Sequence, residues 1–159
     1  MKKQFPNQLE ELYRIVGEAN LLTREEQLPD YSHDEFPDAE ISQVPLAVVK
    51  PVNTQQVSEI LKWANKSKIP VTPRGGGTGL CGACIPVPGG IVLSLENMNR
   101  VIEIDSDNRM AVAEPGVRLM DFYQAVEKEN LFFPPHPGDE SATIGIKKLA
   151  CPVKYYHMH

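Results

Sequence analysis

The sequence predicts an α+β fold in which one strand–helix–strand unit is followed by mostly antiparallel strands and a further helix. Apolar residues recur with helical spacing in three segments. Short apolar runs, bounded by proline, glycine or polar turns, predict strands between these helices. Because strands and helices do not alternate throughout the chain, the order indicates an α+β fold rather than an α/β fold.

The strand–helix–strand unit is predicted over residues 46–73. Residues 46–49 form a short apolar run that ends before Pro51. A helix follows, with Asn53 or Thr54 as its N-cap, and its apolar residues share one face: Val57, Ile60, Leu61 and Ala64. A second strand at residues 69–71 then leads into Pro73.

The remaining elements follow from the same two periodicities. Apolar residues at i, i+3, i+4 and i+7 predict a helix over about residues 7–20 and another at residues 119–126. Residues 23–41 are polar and contain prolines, so they predict an exposed connection. Strands are predicted at residues 91–95, 101–105 and 110–113, the last two joined by a turn at residues 105–108.

Composition excludes several classes of protein. The chain has 159 residues, 42% hydrophobic, with a formal net charge of −5, which is typical of one ordinary globular domain or two small lobes. No dense basic patch with interleaved aromatic residues is present, so we expect no nucleic-acid partner. No apolar run approaches the roughly 20 residues of a transmembrane helix, and the N-terminus lacks an apolar signal core. We therefore expect a cytoplasmic protein without a transmembrane segment.

The strongest chemical signal is a loop at residues 74–82 that contains five glycines in nine residues. Glycines permit positive φ angles and a close approach of the backbone, so consecutive N–H groups can face an anion such as a phosphate. Arg74 and Thr78 could supply additional donors. A tight turn without a ligand is the alternative, and five glycines after a buried strand favour the binding loop.

Two familiar phosphate motifs do not fit this loop. Gly77-x-Gly79-x-x-Gly82 matches the dinucleotide fingerprint, but that motif needs a helix beginning at its glycines. Pro86 and Pro88 prevent such a helix here. A Walker A loop is excluded because no Gly-Lys-Ser/Thr follows the glycines.

A CxxC motif, Cys81-Gly82-Ala83-Cys84, lies at the end of the loop. Thioredoxin-type chemistry is not favoured, because the first cysteine would need to begin a helix. Zinc needs four ligands, and Cys151, His157 and His159 could complete a site. A small metal- or partner-binding domain that uses these cysteines and the terminal histidines therefore stays open as an alternative.

Several motifs in one order resemble FAD-linked oxidases of the vanillyl-alcohol oxidase/p-cresol methylhydroxylase type, especially the D subunit of glycolate oxidase and D-lactate dehydrogenases. The resemblance covers about residues 9–145. It is carried by Pro73–Leu80, which resembles the family's pyrophosphate loop, and by four further elements: Tyr31-Ser32-His33-Asp34, Ala47–Pro51, Glu114-Pro115-Gly116-Val117 and Pro134–Gly145.

The resemblance implies the FAD-binding lobe of the p-cresol methylhydroxylase type, and hydride transfer from the α-carbon of a 2-hydroxy acid to flavin N5. The residues implied to bind FAD are Pro73, Arg74, Gly75, Gly76, Gly77, Thr78, Gly79 and Leu80 in the first loop, and Pro137, Gly138, Asp139, Ser141, Ala142, Thr143 and Gly145 in the second. Family members with covalently linked flavin often carry a histidine where this chain has Thr78, so we expect FAD to be non-covalent.

The sequence departs from the family pattern after Gly145. We accordingly divide the chain into an N-terminal helix with an acidic connection (residues 1–40), an incomplete FAD-binding domain (41–145) and a divergent tail (146–159). No catalytic residue is assigned, and we expect a truncated relative that is inactive alone. A 2-hydroxy acid substrate, or a peripheral association with the membrane, is implied only for a full-length relative. The uncovered edge of the lobe predicts self-association.

Overall fold

A computed structural model of the protein describes residues 6–37, 42–134, 139, 141–145 and 154–157. The helices and strands in these residues are α1 (Pro6–Val16), β1 (Leu21–Leu22), β2 (Val48–Val49), α2 (Thr54–Ser67), β3 (Val71–Arg74), β4 (Ile91–Ser94), β5 (Val101–Asp105), β6 (Met110–Ala113), α3 (Leu119–Lys128) and β7 (Lys154–His157). Their mixture and order confirm the predicted α+β fold. None of the helices in these ranges is both long and apolar enough to cross a membrane.

The chain divides into two compact units. The first unit comprises the described residues up to Arg74 together with Gly79–Ser94, and the second comprises Gly75–Thr78 and the described residues from Leu95 onward. The glycine-rich loop therefore contributes to both units, because its first residue and its last residues belong to the first unit and its middle belongs to the second.

A four-stranded sheet with the order β1-β2-β4-β3 forms the first unit. Strand β4 lies between β2 and β3 and is parallel to both, whereas β1 is antiparallel to β2. The predicted strand at residues 91–95 therefore does not belong to the antiparallel part of the fold that follows the strand–helix–strand unit. All four residues of β4 are buried, which is typical of a strand covered on both faces in a parallel sheet.

Helix α2 begins and ends at local signals. The side chain of Asn53 accepts a hydrogen bond from the backbone N–H of Gln56 at 2.9 Å, so Asn53, and not Thr54, is the N-cap of the two candidates in the sequence. Lys68, directly after the helix, has a φ of +56° and ends it. The helix buries Trp63 and Ile60 within the first unit.

Residues 18–37 differ from the sequence prediction. Helix α1 ends at Val16, where Gly17 has a φ of +80°, and Glu18–Asn20 form a short 3-10 turn instead of continuing the helix. The polar connection was expected to be exposed, yet Leu28 is 5% exposed and packs against β2 and β4 in the core of the first unit. Local polarity did not reveal these contacts because they are made with strands far away in the sequence.

The second unit contains a three-stranded antiparallel sheet with the order β5-β6-β7. The turn between β5 and β6 is the predicted one, and the Asp105 side chain accepts the backbone N–H of Asn108 at 2.9 Å. Strand β7 was not predicted, because residues 146–159 lack a clear period. Helix α3 covers the core of this unit, where the rings of Phe122 and Phe133 meet edge to face at 5.0 Å between centroids.

Candidate functional site

The glycine-rich loop begins at the end of β3, in the first unit. Pro73 is exposed, whereas Arg74 is only 9% exposed. The Arg74 guanidinium donates to the carbonyl oxygen of His33 through Nη1 and to that of Asp30 through Nη2, the latter at 3.2 Å. It also lies over the ring of Tyr31, with Cζ 5.5 Å from the centroid. Two of the five N–H donors of this guanidinium are therefore used inside the first unit.

The middle of the loop, Gly75–Thr78, belongs to the second unit. Gly75 and Gly77 are buried, and Gly76 is exposed. Gly77 has a φ of +77°, a conformation that residues with a β-carbon rarely adopt. Three consecutive residues without side chains permit the close approach of an anion to the backbone.

The loop returns to the first unit at Gly79 and Leu80. The carbonyl oxygen of Gly79 accepts the backbone N–H of Glu35 at 2.9 Å. A β-carbon at Gly79 would lie 3.4 Å from Oδ2 of Asp34. Leu80 is 67% exposed, so its apolar side chain faces solvent and is not part of the core.

The second candidate loop, in the second unit, is fixed by backbone hydrogen bonds to the segment that leads into α3. The buried Ala142 accepts from the N–H of Leu119 at 3.0 Å, and the N–H of Gly145 donates to Pro115 at 2.8 Å. A β-carbon on Gly145 would lie 2.7 Å from both Cβ and the carbonyl oxygen of Pro115. This position therefore admits only glycine without a shift of the backbone.

The two loops meet within the second unit. A β-carbon at Gly76 would lie 3.6 Å from the carbonyl oxygen of Ser141 and 3.8 Å from Cγ2 of Thr143. In the second loop, Oδ1 of Asp139 accepts hydrogen bonds from the backbone N–H of Ser141 at 2.9 Å and from its hydroxyl at 2.5 Å. The structure thus brings Gly76 together with Asp139, Ser141 and Thr143, as one candidate site.

Some polar atoms of this site have hydrogen-bond partners and others have none. The hydrogen bond from the Ser141 hydroxyl, and after it that from Thr78, holds the pKa of Asp139 below its ordinary value. Two buried atoms have no hydrogen-bond partner among the described residues: Oδ2 of Asp139 and Oγ1 of Thr143. Thr143 is 4% exposed. Buried polar atoms without partners are rare in native structures, so these two atoms are the acceptor and the donor that the site could offer to a ligand.

Thr78 also belongs to this cluster, because it hydrogen-bonds to Asp139. Pro137 and Gly138 lie outside the described residues. Cys81 is exposed and Cys84 is buried, and burial raises the pKa of the Cys84 thiol.

The metal alternative gains no ligand set from the part of the chain that is described. Within it, no group of three or more His, Cys, Asp or Glu residues could hold a metal ion. Cys151 and His159 lie outside that part, and only the backbone of His157 is described.

One residue without an assigned role in the sequence analysis lies beside the loop. Asp34 is 6% exposed and belongs to the first unit, where its carboxylate approaches Gly79. In the sequence, only the resemblance of Tyr31-Ser32-His33-Asp34 to a family element pointed to Asp34. Its burial in the structure adds to that indication, because an acidic residue is seldom buried without a partner.

The comparisons with known proteins identify the family of this domain. A family model described as an FAD binding domain matches residues 45–145. D-lactate dehydrogenase of Archaeoglobus fulgidus is 53% identical over 98 residues, which are 62% of this chain and 22% of that enzyme. Glycolate oxidase subunit GlcD of Bacillus subtilis is 39% identical over 137 residues, 86% of this chain and 29% of that subunit.

Among solved structures, p-cresol methylhydroxylase with substrate bound superposes with a TM-score of 0.74 at 26% sequence identity, covering 89% of this chain and 28% of that one. The fold is therefore the FAD-binding fold of the p-cresol methylhydroxylase type. The chain spans less than a third of the length of each of these three proteins.

The residues of the candidate site fit FAD. The buried Thr143 hydroxyl can donate to a phosphate oxygen, and Oδ2 of Asp139 can accept a hydrogen bond from a sugar-type hydroxyl. FAD carries both groups in its pyrophosphate and its hydroxyl-bearing chains, and Gly76 leaves room for a close approach. The chain belongs to the FAD binding domain family, and its FAD-binding domain is related to those of glycolate oxidase subunit GlcD and D-lactate dehydrogenase.

Proposed function

We propose that this chain binds the pyrophosphate and the ribityl region of FAD non-covalently, as part of an oxidoreductase that acts on 2-hydroxy acids. The observation that carries the proposal is the unpartnered, buried Oγ1 of Thr143 beside Gly76. A buried hydroxyl without a partner costs about 1–3 kcal/mol. A ligand oxygen that accepts from this hydroxyl would recover that free energy.

The chain's own residues would divide the binding between backbone and side chains. The N–H groups of Gly75–Thr78 would face the pyrophosphate, since no side chain of the three glycines covers them. Thr143 and Ser141 would donate to phosphate or accept from ribityl hydroxyls. Asp139 would stay ionised because its pKa is lowered, and would accept from a hydroxyl. The other predicted contacts are at the two ends of the first loop (Pro73, Arg74, Gly79 and Leu80). In the second loop they are Pro137, Gly138, Ala142 and Gly145.

The proposed substrate class, a 2-hydroxy acid, is the class to which the substrates named for the related enzymes belong. Lactate and glycolate each carry a hydroxyl on the α-carbon, and relatives named for both substrates match this chain. Bound FAD would supply a hydride acceptor at N5, and the loops would fix the orientation of that cofactor. We propose that these 159 residues do not include the substrate-binding residues, so that this chain alone does not oxidise the acid.

Titration of the purified chain with FAD, followed by flavin fluorescence and calorimetry, tests the binding proposal. Saturable binding of one FAD per chain is the expected result. Absence of binding up to about 100 µM FAD would contradict it, since such affinity is too weak for a resident cofactor. Acid precipitation of the FAD-loaded protein should leave the flavin in the supernatant, whereas flavin that stays with the pellet would contradict non-covalent binding.

Two further measurements test the chemistry. Anaerobic addition of D-lactate or glycolate to the FAD-loaded chain should leave the flavin absorbance unchanged, and bleaching would contradict inactivity of the chain alone. A chimera that carries residues 45–145 in place of the matching part of the Archaeoglobus fulgidus enzyme should oxidise D-lactate, and should do so more slowly when the α-hydrogen is deuterium. A chimera that folds and binds FAD without oxidising D-lactate would contradict the proposed orientation.

Self-association is a separate proposal from the sequence. Sedimentation velocity of the full chain should show dimers or larger species, in proportions that grow with protein concentration. A single monomeric boundary at high concentration would contradict it.

A further inference from the structure

Residues 30–36 contact the glycine-rich loop at both of its ends, within the first unit. At the entry to the loop, the guanidinium of Arg74 donates to two backbone carbonyls of this segment. At the exit, the backbone N–H of Glu35 donates to the carbonyl oxygen of Gly79 at 2.9 Å. Both ends of the glycine-rich loop are thus hydrogen-bonded to one short segment, residues 30–36.

Asp34 is the central residue of this segment. Its Oδ1 accepts the backbone N–H of Phe36 at 3.1 Å, and its Oδ2 lies 3.5 Å from the backbone nitrogen of Cys84, a long hydrogen bond. The same Oδ2 would lie 3.4 Å from a β-carbon at Gly79. A single buried carboxylate therefore joins its own turn to the stretch of chain that follows the loop.

Arg74 is the counterpart at the loop entry. Its side chain is almost fully buried, lies over the ring of Tyr31 and directs two donors at backbone oxygens. The Cys84 thiol responds to both charges: burial raises its pKa most, Arg74 lowers it and Asp34 raises it. Of the two charged groups, Asp34 also contacts this residue directly, through the backbone nitrogen of Cys84.

We propose that Asp34 and Arg74 are positioning residues that fix the two ends of the glycine-rich loop, so that Gly75–Thr78 are ordered before FAD binds. This inference rests on the proposed function, because the loop needs a fixed shape only if its N–H groups bind an anion. When only a fraction of the molecules has the competent loop, the apparent Kd rises in inverse proportion to that fraction. Arg74 would thus act on FAD through the loop, and not as a donor to the pyrophosphate.

The test compares FAD affinity with loop dynamics in full-length variants. Asp34→Ala removes both acceptors, and Asp34→Asn retains one, since an amide offers a single oxygen. Arg74→Lys keeps the charge and loses the planar fork that reaches two carbonyls. Ile60→Val is the matched control, because Ile60 is fully buried in α2 of the same unit and its truncation lowers stability without touching the loop. Each variant is measured for its FAD Kd, its unfolding temperature and the hydrogen exchange of amides 75–84 in the FAD-free protein.

We expect Asp34→Ala to raise the Kd about tenfold, as a loss of nine-tenths of the competent population requires. Exchange of amides 75–84 should accelerate by at least that factor in a loop that is almost fully ordered in the wild type, because exchange follows the open population. Asp34→Asn should fall between this variant and the wild type, and Arg74→Lys should change both quantities in the same direction. Ile60→Val should lower only the unfolding temperature. If Asp34→Ala does not fold, Asp34→Asn and Arg74→Lys decide the question.

The inference is overturned if Asp34→Asn and Arg74→Lys leave exchange at the wild-type rate, or raise the Kd no more than Ile60→Val does. These results leave the proposed function intact, provided that the wild type binds FAD. A wild-type chain that fails to bind FAD would instead refute the proposed function. Exchange in the FAD-free variants then decides by itself whether these two residues fix the loop.

Discussion

The carboxylate of Glu114 accepts two hydrogen bonds from the Arg100 guanidinium, at 2.7 Å from Nη2 and 3.2 Å from Nε. The backbone N–H of Arg100 donates to the same carboxylate at 2.9 Å. Glu114 is 5% exposed, whereas the side chain of Arg100 is 70% exposed. This fork joins the residue before β5 to the residue after β6, and Glu114 directly precedes the Pro115 to which the second candidate loop is bonded.

Replacement of this carboxylate should destabilise the second unit. Glu114→Gln removes the charge and one of the two oxygen acceptors, and we expect the free energy of unfolding to fall by about 1–2 kcal/mol. The expected fall in the free energy of unfolding is modest because the Arg100 side chain stays solvated. Urea denaturation measures it, with Asp121→Asn as the control at the exposed Arg118–Asp121 pair, where a change of no more than about 0.5 kcal/mol is expected. Equal effects of the two substitutions would contradict the special role of Glu114.

The same pair predicts a pH dependence. The hydrogen bond from Arg100 lowers the pKa of Glu114 from its ordinary value of 4.5. A carboxyl with a lowered pKa in the folded state stabilises the protein above its unfolded pKa, and this contribution is lost as the pH falls through the lowered folded value. Below about pH 5, wild-type stability should therefore decline more steeply than that of Glu114→Gln. Thermal unfolding at a series of pH values measures the difference, and parallel curves would contradict it. Asp105 and Asp139, whose pKa values are also lowered, are present in both proteins.

The predictable parts of the fold are those whose causes are local. Helix α2 begins where Asn53 can cap it, and the hairpin turns where Asp105 can bond to Asn108. The position of β4 between two strands, and the pairing of β7 with β6, depend on partners tens of residues away. Such pairings leave no local period in the sequence, so they required the structure.

The candidate site divides in the same way. The glycines and Thr143 were predictable, because a binding loop needs particular residue types and the family resemblance marks them. Their meeting at Gly76 was not, nor was the use of the Arg74 guanidinium by backbone carbonyls. The buried Asp34 lies beside Gly79, which is 45 positions later in the sequence. A linear pattern contains no measure of such distances.

Gly116 should be intolerant of any side chain. A β-carbon there would lie 2.1 Å from the carbonyl oxygen of Leu95 and 2.8 Å from that of Met98, and both are backbone atoms. We expect Gly116→Ala to lower the free energy of unfolding by about 3 kcal/mol or more. The control is Gly76→Ala, whose β-carbon would make only ordinary contacts of 3.6 Å and longer, and which should change stability by less than about 1 kcal/mol. Chemical denaturation compares the unfolding midpoints of the two variants. Similar midpoints would contradict the close contact at Gly116.

Removal of the Thr143 hydroxyl should separate FAD binding from folding. In the FAD-free protein, Oγ1 of Thr143 is buried without a partner among the described residues, so Thr143→Val should leave stability unchanged or raise it by about 1 kcal/mol. FAD affinity should fall about tenfold, because a hydrogen bond of about 1.4 kcal/mol to the cofactor is lost. Thr143→Ser keeps the hydroxyl and should bind FAD much as the wild type does. Thermal unfolding without FAD and calorimetric titration with FAD measure the two effects. Removal of a merely structural hydroxyl would lower stability and leave the affinity of the folded protein for FAD unchanged, so a drop in the unfolding temperature with unchanged affinity would refute the contact with FAD.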